Sequence, residues 1–76
     1  MPRYRVEAMK RTALGVHDAV AFDNFDAPDL PTAVATADEW LRAKGFDKSI
    51  ASDARIVIGD LIVAQKEIGL STWATG

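Results

Sequence analysis

The chain has no cysteine and a single histidine, His17, among its 76 residues. Disulfides and thiolate zinc sites are thereby excluded, and a metal site built from histidines has too few ligands. Long hydrophobic runs are missing too. No stretch approaches the roughly 20 apolar residues that a membrane helix needs. Met1-Pro2-Arg3-Tyr4 leads straight into alternating residues, without the apolar run of a signal peptide. There is no internal repeat, linker or low-complexity segment. Between positions 18 and 40 there is not one lysine or arginine.

What remains is a small soluble domain, expected in the cytoplasm. A chain of 76 residues makes one domain, expected over residues 1–70, with 71–76 as a tail. At this length folding hides only about 60% of the surface that the unfolded chain exposes, so stability is marginal. With disulfides and metal set aside, added support has to come from a second copy or a partner. The apolar fraction, 49%, is that of an ordinary globular domain.

The net charge of −2 is unevenly spread. Residues 1–17 carry +3, from Arg3, Arg5, Lys10 and Arg11 against Glu7. Residues 18–40 carry −6, from Asp18, Asp23, Asp26, Asp29, Asp38 and Glu39, and the remainder carries +1. A stretch of one sign can steer a partner of the other, although a solvated face is its commonest use.

Two segments alternate with period two. Arg3 to Lys10 places Tyr4, Val6 and Ala8 on one side; His17 to Phe25 places Val20 and Phe22 on one side. Both read as strands, joined by a turn over Thr12–Gly15 and therefore antiparallel. DAPDLPTAVATADEWLRAKGF reads as a helix over residues 30–44. Asp29 is its N-cap, Pro31 lies in its first turn, and Leu30, Ala33, Val34, Ala37, Trp40 and Leu41 make the apolar stripe. Gly45 suits the residue after the helix, with Phe46 folding back on the last turn.

ARIVIGDLIVAQKEI, residues 54–68, admits two readings. As a helix it would align Ala54, Val57, Ile58, Leu61, Ala64 and Ile68. It would also leave Ile56 and Val63 on the back and bury Gly59 mid-helix at about 1 kcal/mol. As a hairpin it turns at Gly59-Asp60, pairing Ile58 with Leu61 and Ile56 with Val63 toward the helix. The hairpin is preferred. The expected fold is α+β in ββαββ order, a four-stranded antiparallel sheet with one helix packed on one face. Val57 and Ile62 then form an apolar pair on the uncovered face, joined by Met9, and are the candidate dimer contact. The competing expectation is that Leu70 and Trp73 fold over and cover them.

Signs of catalysis are weak. His17 and Asp18 are neighbours on a strand and point to opposite faces. Ser49, Ser52 and Ser71 have no adjacent base or glycine elbow. Asp23, Asn24, Asp26 and Asp29 lack the spacing and glycine of a calcium loop. No catalytic residue, metal or cofactor is expected. Arg3, Arg5, Lys10 and Arg11 could meet phosphate, but Tyr4 points away from Arg3 and Arg5 and offers them no stacking platform. A nucleic-acid-binding module using these bases is the third reading, after an interaction protein and a structural homodimer. Asp18, Asp23, Asp26 and Asp29 are the candidate partner-binding residues, because spaced carboxylates can mimic phosphates in a basic groove.

DNFDAPDLPTAVATADEWL as strand, turn and Ala-rich helix, closed by RIVIGDLIVAQKE as a hairpin, resembles small ββαββ proteobacterial proteins and phage anti-CRISPR inhibitors. The likeness covers residues 3–68 at the level of architecture and has no signature motif. The anti-CRISPR resemblance implies a non-enzymatic inhibitor that occludes a larger protein, such as a CRISPR effector subunit. The alternatives are a structural or adaptor homodimer and an antitoxin-like protein.

Overall fold

The computed structural model describes residues 1–15, 17–47, 49–70 and 72–75, and of His17 the backbone alone. The reading of His17 as a surface side chain, and any role for Ser71, lie outside the described residues.

Five strands and one helix follow in the order β1 (Arg3–Arg11), β2 (His17–Asp26), α1 (Leu30–Lys44), β3 (Asp53–Ile58), β4 (Leu61–Glu67) and β5 (Ala74–Thr75). The sheet is antiparallel, in spatial order β2-β1-β3-β4-β5. Helix α1 connects β2 to β3, which flank β1 on either side. The sheet therefore has five strands rather than the expected four. The tail does not stay loose: Trp73 docks beside α1, and the two residues after it pair with Ala64 and Gln65 of β4.

The helix begins and ends where its capping residues dictate. Asp29 is extended and accepts the Thr32 N–H at 2.9 Å. Pro31 sits in the first turn, where its missing donor costs nothing. Gly45 takes φ +68° and donates its N–H to the Arg42 carbonyl, and Phe46 packs on Trp40 with ring centroids 5.5 Å apart. The buried face of α1 is Ala33, Ala37 and Leu41. Small side chains there let the helix lie close to Val6 and Ile56, the largest fully buried side chains. A second cluster joins Ala8, Leu41, Ala51, Ala54 and Ile68.

Residues 54–68 form the hairpin, with Gly59 at φ +60° in its turn. Ile58 faces Leu61 and Val57 faces Ile62 as expected, but Ile56 faces Ala64 and not Val63. A bulge in β4 makes Val63 the extra residue, so it reaches the helix-side core by a different register. Leu61 does not join that core; it is 64% exposed. It sits at the turn, beyond the reach of α1's buried face.

Candidate interaction surface

Residues that pair directly across an antiparallel sheet share a face. Three rows therefore cross the side of the sheet away from α1. One runs Asn24, Arg5, Val57, Ile62; the next Phe22, Glu7, Arg55, Gln65, Ala74; the third Ala19, Met9, Asp53, Glu67. Leu70 and Trp73 do not cover this face. Leu70 is exposed, and Trp73 packs on the helix side, donating its indole N–H to Asp38 at 3.0 Å.

Glu7 is the centre of the open face and is only 7% exposed. Its carboxylate contacts two guanidinium groups: Arg55 Nε donates to Oε1, and Arg5 Nε lies 2.8 Å from Oε2. The Arg5 Nε–H is misaligned for a hydrogen bond and interacts by charge alone. Two cations around one buried anion leave a local excess of positive charge. Val57 and Met9 are buried beside this cluster although, among the described residues, no helix packs over them. The long side chains of Arg5 and Arg55 account for it, since their stems cover apolar neighbours while their ends stay near water. Further out, Phe22 is 62% and Ile62 41% exposed, with Val20 exposed near Phe22. The Val57–Ile62 pair is thus present on this face, whereas Met9 lies two rows away with the Glu7 row between.

The four candidate acids separate. Asp29 is spent on the helix cap, and its hydrogen bonds with the Thr32 side chain and then its backbone hold its carboxyl below the usual range. Asp26 faces Arg3 at 3.8 Å on the open side. Asp23 accepts the Asn24 N–H at 2.9 Å and pairs across to Val6, while Asp18 pairs across to Lys10; both belong to the helix side of β2. The acidic run is therefore not one surface. Nor are the early bases one patch. Arg3 meets Asp26, Arg5 meets Glu7, Arg11 lies 3.8 Å from Asp53, and Lys10 is within electrostatic reach of Asp47.

Sequence reasoning placed Phe22 on a strand face but not on the open one, and missed Arg55 altogether. The signal for Arg55 is its pairing with Glu7, 48 residues earlier, which needs the β1–β3 register. An open cavity of about 430 Å³ lies where this face meets Leu70, Thr72 and Ala74, with Arg11, Asp53, Arg55, Gln65 and Glu67 in its walls. Its walls carry charges of both signs, with Arg11 and Asp53 3.8 Å apart and Arg55 held by Glu7, which gives it no single preferred ligand.

Among the described residues, no three His, Cys, Asp or Glu side chains are grouped to hold a metal ion, and no helix is long and apolar enough to cross a membrane. No protein-family model, curated protein or solved structure matches the chain.

Proposed function

We propose that this is a non-enzymatic interaction protein that binds a larger protein through the open face of its sheet. The observation that supports this most is the composition of that face: Phe22 and Ile62 exposed around the Arg5–Glu7–Arg55 cluster, with Val20 exposed near Phe22 and, among the described residues, no helix packed above them. Apolar side chains grouped round a partly buried ion cluster are what a protein interface buries at its centre. The narrower form is an inhibitor that occludes its partner, with an anti-CRISPR-like role against a nucleic-acid-binding effector as the leading case. A tagged pull-down from a lysate containing CRISPR effectors tests it. A stoichiometric effector subunit, lost with Ile62→Asp, is the expected result. Capture unaffected by that substitution removes the open face from the reading.

The in-register Val57–Ile62 pair favours a second reading, a homodimer packed sheet to sheet. Its measurement is solution mass by light scattering. A dimer that Ile62→Asp converts to monomer supports it, and a monomeric wild type dismisses it.

A further inference from the structure

We propose that the outer edge of β2 accepts an extended, cationic segment of a partner protein, which adds to the sheet as a sixth strand. The inference rests on the reading that the protein acts by binding, and goes beyond it by naming a second surface and the chemistry of its occupant. The two edges of the sheet are treated differently. On the β4 side, Ala74–Thr75 pairs with the strand and is anchored by Trp73 on Asp38. On the other side β2 is outermost over ten residues, about 33 Å of strand, and among the described residues its one paired neighbour is β1. An outermost strand keeps half of its N–H and C=O groups free to pair with an added one.

The β2 bulge decides what that added strand must carry. Ala21 pairs with Ala8 and Ala19 with Met9, so Val20 is the extra residue. Asp18 and Asp23 are five positions apart and would face opposite ways on a regular strand. The bulge brings both to the helix side of the sheet, in register with Lys10 and Val6. Phe22, in register with Glu7, lies on the other side and is exposed, and Val20 at the bulge is exposed as well. Around the bulge the edge therefore carries Asp18 and Asp23 on one face and Phe22 on the other, with Asn24 and Asp26 further along that second face. An incoming strand that alternates Lys or Arg with apolar residues matches both. A second copy of β2 would bring its own aspartates alongside and is repelled.

The test uses the full protein and three peptides: Lys-Val-Lys-Thr-Lys-Val-Lys-Thr, the same sequence with Glu for each Lys, and the lysine peptide N-methylated at alternate backbone positions. Calorimetry and amide NMR are the readouts. The lysine peptide should bind, more weakly as salt rises, and should protect β2 amides between residues 19 and 24 from exchange. The Glu peptide should bind about tenfold more weakly or not at all. The Asp18→Lys/Asp23→Lys variant, checked for an unchanged melting temperature, should reverse that preference. Absence of binding by the lysine peptide, equal binding by its N-methylated form, or shifts confined to the Ile62 side would each overturn the proposal. Ile62→Asp, three strands away, tests the open face separately, so either surface can fail without the other.

Discussion

The two faces of the central β1–β3 pair reach almost the same depth of burial by different means. Toward α1, Val6, Ala8, Ala54 and Ile56 are sealed by a helix whose facing residues are Ala33, Ala37 and Leu41. Away from it, Glu7, Met9 and Val57 are nearly as buried with, among the described residues, no helix stacked above them. They are covered sideways, by Arg5 and Arg55 and by their neighbours in the three rows. The first kind of burial is rigid, because a helix held by caps and core contacts cannot close around a lost methyl. The second rests on long side chains that can rearrange. One face is therefore built for stability and the other is free to be rebuilt around a partner.

The sharpest way to break this comparison is the same substitution on both faces. Val6→Ala should cost about 2–3 kcal/mol, because a cavity opens under the helix. Val57→Ala should cost about 1 kcal/mol, because arginine stems can settle into the space. Urea unfolding measures both. Equal losses would mean that the open face is packed as tightly as the core.

Glu7→Gln comes next. It keeps the shape but leaves Arg5 and Arg55 without a counter-charge, at about 1–2 kcal/mol. An unchanged midpoint would show that the cluster is solvated and not structural. Trp73→Phe removes the indole donor to Asp38 and should cost about 1 kcal/mol. Asp38 keeps Lys66 at 3.4 Å, so the loss should be local. Amide exchange of Ala64 and Gln65, the residues paired with β5, should quicken while that of Ile56 holds. Phe22→Asp should leave stability within about 0.5 kcal/mol of wild type. A large destabilisation there would mean that Phe22 belongs to the fold and not to a binding face.

The smallest effect concerns pH. The Asp29 carboxyl titrates below its ordinary value near 3.8, through hydrogen bonds with the Thr32 side chain and backbone. Its stabilising share is present above that ordinary value and is lost as pH falls through the lower, folded-state one. Asp47, held down mainly by the Ser49 hydroxyl, behaves in the same sense. Asp29→Asn keeps a capping oxygen and should flatten part of the acid limb of stability against pH, leaving Asp47's part. Melting curves between neutral pH and pH 3 check this; an unaltered acid limb would mean that the cap does not titrate with folding.

Legibility in the sequence followed the range of the interactions involved. Helix α1 could be read almost to the residue, because Asp29, Pro31, Gly45 and Phe46 act within one turn of where they stand. The β3–β4 hairpin was readable from Gly59 for the same reason. Neither bulge was, since an extra residue has meaning only against a partner strand. The slip from Val63 to Ala64 opposite Ile56 and the shared face of Asp18 and Asp23 both depend on one. Strand β5 was unreadable because two residues, Ala74 and Thr75, have no periodicity. Their place comes from Trp73 meeting Asp38, 35 positions earlier.

The candidate surface divides along the same line. Local chemistry alone determined that Asp29 caps a helix and that Val57 and Ile62 pair across a glycine turn. The tertiary structure decided that Arg55 reaches Glu7, that Arg3 and Asp26 meet, and that β2 is left at an edge while β4 is paired at Ala64 and Gln65 by β5. Capping and turn preferences are short-range and are written into neighbouring residues. Register, strand order and ion pairing are minima of the whole packed chain, and exist only once the sheet has closed on its helix.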